Sequence, residues 1–377
     1  MVDKTYRTAD FNALREQAAG LPRTHIEPGS VIWIFGAGNF GRSLAAAMQK
    51  QGIVVAGFVE TAPRVATVLD LPVLDWQALA MEHSGARLAL GIFNRDTPYD
   101  ELLTIVAEAG FAPPLMPWML YEQFSQDLGW RFWLSARSFL LEAMGRIAGV
   151  AEQLADEQSR EILYRMCAFR LGLDMEYASY LSTEARYINE LTLPALRGRG
   201  ITYVDCGAYD GDSYEELIAC PDITCKQAFL LEPDAENFSR LVRQVALGGT
   251  NAICLPIAAA QSYSILTFNA GQGEACSLSQ DGAGTSIAAV ALDQMLPCLP
   301  VDLIKLDVEG AEAQVLRGGE QIIRRSRPTL IVSLYHNPED LWELPELLFD
   351  FCPNYRFYIR QHCPNTFESV LYAVPNP

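Results

Sequence analysis

The sequence predicts an α/β fold with two open, mainly parallel sheets, one in the N-terminal third and a larger one in the C-terminal half. In both regions, short apolar runs typical of strands alternate with helical stretches. In each region the first apolar run ends in a glycine-spaced turn that leads into a predicted helix. Between them, apolar residues recur every three to four positions, which indicates a helical connector. We therefore expect three parts, namely residues 1–125, 126–199 and 200–377.

The N-terminal part begins its predicted sheet with the apolar run Val31–Phe35. The next residues match G-x-G-x-x-G at Gly36, Gly38 and Gly41, and the following predicted strand ends at Glu60. A turn of this kind can hold the diphosphate of a nucleotide, and an acid at the second strand can bind a ribose. The pattern predicts a smaller Rossmann-like domain with a nucleotide site at these four residues.

Two interpretations of this first glycine turn stay open. The turn binds NAD(P) or a sugar nucleotide, or it belongs to a Rossmann-like domain that only packs or recognises substrate. No Tyr-x-x-x-Lys pair or other hydride-transfer set follows Leu88. An oxidoreductase is therefore the weaker alternative for the protein as a whole.

The second glycine turn follows the predicted strand Ile201–Val204. Gly207 and Gly211 allow backbone angles and close approaches that a side chain would block. Ser213 with Glu216 three residues later matches a capping box, so a helix is expected to begin there. A strand, a glycine turn and a helix N-terminus together form a nucleotide cradle.

Carboxylates distinguish this second turn from a diphosphate site. Asp205, Asp210 and Asp212 lie in or beside it, and they would repel phosphate while suiting a cationic ligand. S-adenosylmethionine, with its sulfonium and amino group, is such a ligand. The next predicted strand ends at Glu232, where an acid can accept hydrogen bonds from both ribose hydroxyls.

Further acids follow the fourth predicted strand of this half, Val301–Asp307. Ligands of open α/β sheets sit at the carboxyl ends of strands. Asp205, Glu232, Asp307 and Glu309 are therefore expected to gather on one rim.

Methyl transfer from a sulfonium mainly requires that the acceptor be held in line with the methyl group. A hydroxyl acceptor also benefits from a general base. His336, at the end of the predicted strand Thr329–Tyr335, is the first candidate because its ordinary pKa is near neutral; the alternative is a structural histidine. Asp307 and Glu309 are further catalytic candidates, and His362 is a second possible base. Two acids alone are weak evidence for a cation, so no metal is predicted.

Three remaining features complete the C-terminal half. The runs Tyr355–Arg360 and Ser369–Val374 read as an antiparallel pair that reverses the last strand. Ala258, after the third strand, is small enough to lie against an adenine ring, but tight packing is the favoured explanation of a small residue there. Residues 271–284 are rich in Gly, Ser and Asp and are expected to form either a lid over the acceptor or a surface connection.

A family resemblance is carried by five runs, namely DCGAYDGDSYEELI, LLEPDAENFSRL, VALDQML, VDLIKLDVEGAEAQVLRGG and RPTLIVSLYHNPEDLWELPELL. Over roughly residues 200–377 the chain resembles the FkbM family of S-adenosylmethionine-dependent methyltransferases. DEQSREILYRMCAFR and ARYINELTL also resemble the lead-in of longer members. Tyr209 replaces the middle glycine of the common methyltransferase turn, a change that FkbM-like sequences tolerate.

This resemblance implies a class I methyltransferase sheet with a reversed last strand and S-adenosylmethionine as cofactor. It also implies O-methylation of a hydroxyl on a sugar, glycan or secondary metabolite, whereas the residues alone leave O-, N- and C-methylation open. The alternatives are an NAD(P)-dependent sugar-nucleotide oxidoreductase and a nucleotide-binding protein without turnover. The predicted cofactor contacts are Asp205, Gly207, Tyr209, Asp210, Gly211, Asp212, Ser213, Glu232, Ala258 and Asp307.

Composition limits the partners of this 377-residue chain, whose formal net charge is −18. A surface this acidic should repel nucleic acid and anionic membranes. The expected acceptor is therefore a small molecule or a glycan. No apolar run reaches the roughly 18 residues of a membrane span, and the polar N-terminus lacks a signal-peptide core. Nine scattered cysteines without a CxxC pair favour free thiols in the cytoplasm. A homo-oligomer stays open.

Overall fold

The computed structural model describes residues 6–248, 251–268 and 285–377. The chain separates into two compact units, each assembled from several stretches. Unit 1 comprises Met1–Ala151, Arg160–Leu181 and Cys363–Glu368, and unit 2 comprises Glu152–Ser159, Ser182–His362 and Ser369–Pro377. The linear three-part division expected from the sequence stays a prediction, and the expected lid or connection at 271–284 lies outside the described residues.

Unit 1 contains a five-stranded sheet with the order β3-β4-β2-β1-β5, in which β1, β2, β4 and β5 are parallel and β3 is antiparallel to β4. The strands are β1 (Val31–Phe35), β2 (Val54–Val59), β3 (Thr67–Val68), β4 (Leu71–Leu74) and β5 (Leu88–Leu90). The helices in this part of the chain are α1 (Thr8–Ala19), α2 (Asn39–Lys50), α3 (Trp76–Glu82), α4 (Tyr99–Glu108), α5 (Pro117–Leu128), α6 (Arg137–Gln153), α7 (Glu157–Arg170) and a 3₁₀ turn (Ala178–Tyr180).

Helix α2 illustrates how the sequence builds this unit. Its buried residues Phe40, Leu44 and Met48 recur every four positions and so share one face of the helix. Strand β1 is buried throughout except for Val31, as expected for a strand in a parallel sheet covered on both faces. The α/β character predicted for the N-terminal region is confirmed.

Unit 2 contains a seven-stranded sheet with the order β14-β15-β13-β12-β6-β7-β8 and a small sheet with the order β10-β11-β9. The strands are β6 (Gly200–Cys206), β7 (Thr224–Leu231), β8 (Ala252–Leu255), β9 (Ala258–Ala259), β10 (Ser264–Phe268), β11 (Thr285–Val290), β12 (Leu303–Leu306), β13 (Thr329–Ser333), β14 (Tyr355–Gln361) and β15 (Ser369–Pro375). The helices are α8 (Leu193–Leu196), α9 (Asp212–Ala219), α10 (Ala235–Gly248), α11 (Leu292–Met295), α12 (Glu312–Gly318), α13 (Glu320–Ser326) and α14 (Asp340–Phe351).

All strands of the large sheet except β15 run in the same direction. Strands β8, β7, β6, β12 and β13 pair in parallel, whereas β15 runs antiparallel to both β13 and β14. The predicted α/β fold of the C-terminal half is confirmed.

Register across the central strands places their carboxyl ends level with one another. Cys206 pairs with Leu231 on one side and with Leu306 on the other, and Leu306 pairs with Val332. The residues that follow these pairs therefore form a row along one edge of the sheet. This strand-end row consists of Gly207, Glu232, Asp307 and Ser333.

The start of α9 differs from the expected capping box. Gly211 is the N-cap residue, and Ser213 lies inside the helix with its hydroxyl donating to Asp205. Glu216 accepts hydrogen bonds from the backbone N–H groups of Tyr187 and Ile188 instead. The capping-box prediction is wrong because a buried carboxylate captures the serine hydroxyl, although a helix does begin at this point.

Among the described residues, no helix combines the length with the apolar composition that a bilayer span requires.

Candidate active site

The glycine turn of unit 2 packs tightly between two strand ends. Gly207 has φ +83°, and a Cβ atom there would lie 1.9 Å from the carbonyl oxygen of Asp307. The N–H groups of Gly207 and Ala208 both donate to the carbonyl of Leu231, at 3.0 and 2.9 Å. Glycine is therefore required at 207 by contact as well as by backbone angle.

Glu232 closes this turn from the neighbouring strand. Its two carboxylate oxygens accept hydrogen bonds from the N–H groups of Tyr209 (2.9 Å) and Asp234 (2.8 Å). Tyr209 itself has a left-handed backbone with φ 48°, and the Arg240 guanidinium lies 5.4 Å from the centre of its ring. Burial raises the pKa of Glu232 to about 7, although both amides favour the charged form.

Asp205 is fully buried, and its carboxylate is engaged by three side chains. The Lys305 ammonium lies 3.0 Å from one oxygen, while Ser213 and Tyr203 donate to the other, Tyr203 at 2.8 Å. Lys305 also donates to the carbonyl of Gly207 at 2.6 Å. Burial alone would lower the pKa of Lys305, but Asp205 raises it overall. This buried ion pair ties the turn to β12, and Asp205 has no exposed surface.

Two other carboxylates of the turn are not fully buried. Asp210 is half-buried, and Asp212 is exposed with its carboxylate 3.5 Å from the Arg186 guanidinium. Arg186 also lies 4.7 Å from the centre of the Tyr187 ring. The outer face of the turn therefore carries acidic groups with Arg186 beside them.

Asp307 follows β12 in the strand-end row and is oriented by two residues from β13 and its end. Oδ1 accepts hydrogen bonds from the Ser333 hydroxyl at 2.8 Å and from the Tyr335 hydroxyl at 3.3 Å. Burial alone would raise the pKa of Asp307, but the charges of Lys305 and His336 lower it. Asp307 is thus held as a carboxylate.

His336 joins three of the acids in what we term the acid–histidine cluster, consisting of Asp307, Glu309, Glu312 and His336. Its Nδ1 lies 2.8 Å from Glu312 Oε1, and its Nε2 lies 3.4 Å from Asp307 Oδ1 and 3.7 Å from Glu309 Oε2. His336 and Glu312 are fully buried, while the side chains of Asp307 and Glu309 keep 20% and 25% exposure. The cluster therefore runs from the interior to the rim.

The charge state of His336 bears on its expected role as a general base. Burial alone would lower its pKa, but Glu312 and Glu309 raise it to about 10. An imidazole that is protonated at neutral pH cannot accept a proton. The raised pKa therefore disfavours proton acceptance by His336 at neutral pH, and its base role stays a prediction.

The second candidate base differs from the first in its surroundings. Burial and the nearby Arg186 charge lower the pKa of His362 to about 4. Its Nε2 lies 2.8 Å from the Tyr372 hydroxyl, which donates to the carbonyl of Arg186 at 2.6 Å. His362 is therefore neutral and supports the segment that carries Arg186.

Ala258 lies in β9 of the small sheet, outside the strand-end row. It packs near Ile287 of β11, and its pairing partner is Ala289. The suggested contact with an adenine ring stays a prediction.

The glycine turn of unit 1 uses its three glycines differently. Cβ atoms at Gly36 and Gly41 would lie 2.5 Å from Ile92 Cγ1 and 2.0 Å from the Gly36 carbonyl oxygen, whereas none of the described atoms approaches within 4 Å of one at Gly38. Glu60 accepts a hydrogen bond from the Ala37 N–H at 3.2 Å. Two glycines thus serve packing, and the third has open space beside it.

Sequence reasoning missed Lys305 and Glu312 as parts of the site. A lysine inside the apolar strand VDLIKLD was a usable signal, because a buried ammonium needs an anionic partner. The contacts of Asp307 with Ser333 and of His336 with Glu312 join residues 26 and 24 positions apart.

Comparison with known sequences identifies this region. Residues 205–361 match the family described as the Methyltransferase FkbM domain. This part of the chain is an FkbM methyltransferase domain. The FkbM domain begins at the buried Asp205 and includes the glycine turn, Glu232 and the whole acid–histidine cluster. The predicted resemblance is thereby confirmed, and no curated protein matches the chain.

Solved structures provide a likeness in fold. The FkbM methyltransferase from Methylobacillus flagellatus KT is 20% identical with a TM-score of 0.73, and the match covers 97% of this chain and 98% of that one. A SAM-dependent methyltransferase from Aquifex aeolicus is 15% identical over 48% of this chain and 85% of its own, with a TM-score of 0.29. At 20% identity the first match shows a shared fold. The TM-score of the second match is too low to support a conclusion.

Proposed function

We propose that the FkbM domain is an S-adenosylmethionine-dependent methyltransferase that acts on a hydroxyl oxygen of a sugar, glycan or secondary metabolite. The observation that carries the proposal is the strand-end row. Glu232, which is bonded to the glycine turn, stands there beside Gly207 and Asp307. A carboxylate in this position can accept hydrogen bonds from ribose hydroxyls.

The donor set suits a ligand with positive charge. In the proposed site, Glu232 binds the ribose, and the turn 207–211 lies against the nucleoside. Asp210, Asp212 and Asp307 supply negative charge for the amino and sulfonium groups. Asp205 and Ser213 are positioning residues. The hydrogen bond between them and the ion pair of Asp205 with Lys305 hold the turn in place.

The bound cofactor would supply an already activated methyl group, so the protein's task is mainly orientation. Asp307 and Glu309 are placed to accept a hydrogen bond from an acceptor hydroxyl at the rim. Ser333 and Tyr335 hold Asp307 in place, and a protonated His336 balances the negative charge of the surrounding carboxylates. We retain Asp307, Glu309 and His336 as the proposed catalytic group.

Calorimetric titration with S-adenosylhomocysteine tests the cofactor site. Glu232→Gln keeps the size of the side chain and removes the charge, so we expect affinity to fall about 100-fold, or about 2.7 kcal/mol. Glu60→Gln, the corresponding change in the other glycine turn, is the matched control and should leave this affinity unchanged. Wild-type affinity in Glu232→Gln would remove the ribose contact, and no binding by the wild-type chain would reject the proposal.

Turnover separates an enzyme from a binding protein. Release of S-adenosylhomocysteine is measured over a library of glycosides and hydroxylated metabolites, with Glu309→Gln as the variant at the rim. Binding without release over that library would favour the protein without turnover.

A second candidate function belongs to unit 1. The open space beside Gly38 favours nucleotide binding there, since the second glycine of such a turn lets the backbone approach a diphosphate. Arg42 and Arg131 lie close by, Arg42 donating to the Ala37 carbonyl and Arg131 to the Ser43 hydroxyl. These cations suit an anionic ligand better than the acids of the FkbM turn do.

This second site is tested by titrating the chain with NAD, NADP and UDP-glucose. Gly38→Val fills the open space and should abolish binding, while S-adenosylhomocysteine affinity stays unchanged. Absence of binding by the wild-type chain would leave unit 1 with the packing or substrate-recognition role.

A further inference from the structure

We propose that the acid–histidine cluster binds one first-row divalent cation, for which Mn²⁺ is the best probe. Asp307, Glu309 and the Nε2 atom of His336 are its protein ligands. Glu312 is a positioning residue that orients the imidazole through Nδ1. The sequence had predicted no metal because only two acids were recognised there, whereas the fold adds a histidine and a third acid.

Distances on the two sides of the imidazole differ in a way that points to coordination. Nδ1 lies 2.8 Å from Glu312 Oε1, the length of a charge-assisted hydrogen bond. Nε2 lies 3.4 Å from Asp307 Oδ1 and 3.7 Å from Glu309 Oε2. Two ligands that share one ion at about 2.1 Å each stand about 3.0–3.5 Å apart. The distances from Nε2 to the oxygens of Asp307 and Glu309 are therefore close to those between two ligands of one metal ion.

The surroundings also match those of a metal ligand set. A ligating histidine commonly donates its other ring N–H to a carboxylate, and Glu312 stands at that position. Ligating carboxylates are in turn held by hydrogen bonds, as Ser333 and Tyr335 hold Asp307. Val308 N–H donates to Glu312 at 2.8 Å, which fixes the orienting acid.

Charge and ligand type narrow the cation. Three carboxylate side chains surround one imidazole in this cluster. Two carboxylates with one imidazole nitrogen suit Mn²⁺ or Fe²⁺ better than Ca²⁺, which prefers oxygen ligands alone. Asp307, Glu312 and His336 also have ligand atoms that all lie within 4.8 Å of one another.

The catalytic consequence rests on the proposed function, whereas metal binding does not. A cation at the rim would polarise an acceptor hydroxyl and lower its pKa. With Nε2 bound to the cation, the cation rather than His336 would activate the hydroxyl. We therefore expect an acceptor whose hydroxyl oxygen can coordinate the cation.

Electron paramagnetic resonance of Mn²⁺ tests binding on the full chain after treatment with EDTA. We expect one Mn²⁺ per chain, and we expect Asp307→Asn and Glu309→Gln each to raise the dissociation constant at least tenfold. Glu236→Gln removes a carboxylate that is 77% exposed in the same unit, and as the control it should change nothing. Thermal melting of every variant verifies that it is folded.

Pulsed resonance adds a signature that general negative charge would not produce. Coupling of the bound Mn²⁺ to a ¹⁴N nucleus is expected in the wild-type chain and should vanish in His336→Gln. Lack of saturable binding below about 1 mM, equal affinity in the two acid variants, or bound Mn²⁺ without nitrogen coupling would each overturn the inference. S-adenosylhomocysteine affinity, measured in parallel, shows separately whether the proposed function fails.

Discussion

The two glycine turns of this chain are built alike and differ in charge. Each follows a buried strand, and each receives an acid from the next strand, Glu60 on Ala37 N–H at 3.2 Å and Glu232 on Tyr209 N–H at 2.9 Å. Arg42 and Arg131 lie by the first turn, whereas Asp210 and Asp212 belong to the second. The same backbone device can therefore favour an anionic ligand in one place and a cationic ligand in the other.

The turns also differ in how they are fastened. The second turn has a fully buried carboxylate beneath it, Asp205, paired with Lys305. In the first turn, close contacts of Gly36 and Gly41 hold the backbone, and the second turn has a similar contact at Gly207 in addition to its ion pair. The second turn should therefore lose stability when its ion pair is broken.

The largest effect is expected from Gly207→Ala. The new Cβ would lie 1.9 Å from the Asp307 carbonyl oxygen, at a backbone angle that alanine rarely adopts. We expect a loss of more than about 4 kcal/mol in the free energy of unfolding. Urea denaturation measures it, and a loss below about 1 kcal/mol would show that the turn can shift away from β12.

Lys305→Met should rank second. It leaves the buried Asp205 carboxylate without its cation, and breaking a buried pair in this way costs about 3–5 kcal/mol. Arg197→Met disrupts an exposed pair with Asp222 in the same unit, and it should cost less than about 1 kcal/mol. Similar losses in the two variants, measured by urea denaturation, would contradict the distinction between a buried and an exposed pair.

The pH dependence of cofactor affinity is expected to be smaller. The pKa of Glu232 is raised from 4.5 to about 7, so the carboxylate is mostly protonated below pH 7. As pH falls from 8 to 6, S-adenosylhomocysteine affinity should decline by up to about tenfold per pH unit below 7. Calorimetry across this range should give a flat profile for Glu232→Gln, and an equal slope in that variant would assign the dependence to another group.

Local sequence predicts much of this architecture. The contacts that it did not predict share one cause. Strand β1 occupies the predicted residues Val31–Phe35 because the apolar run and the glycine turn after it agree on where the strand ends. The acids at strand ends were found because β-strands end where polar residues begin. The pairing of Lys305 with Asp205 spans 100 residues, and register decides it, so spacing along the chain could not reveal it.

The same cause explains the errors at single residues. Ser213 and Glu216 match a capping box locally, but the buried Asp205 takes the hydroxyl of Ser213. His336 was judged from its ordinary pKa, whereas the acids that surround it come from other elements. In both cases a charge brought in by the tertiary fold overrides a local pattern.

The smallest effect is expected from Gly38→Ala in unit 1. Gly38 caps α2 with an extended backbone, φ −72° and ψ −170°, and none of the described atoms lies within 4 Å of an added Cβ. Alanine loses less chain entropy on folding than glycine but caps a helix slightly less well, so the two effects oppose each other. We expect the free energy of unfolding to change by less than about 1 kcal/mol, measured by urea denaturation beside Gly207→Ala. A loss above about 2 kcal/mol would mean that Gly38 is retained for stability, and the space beside it would then no longer argue for a ligand.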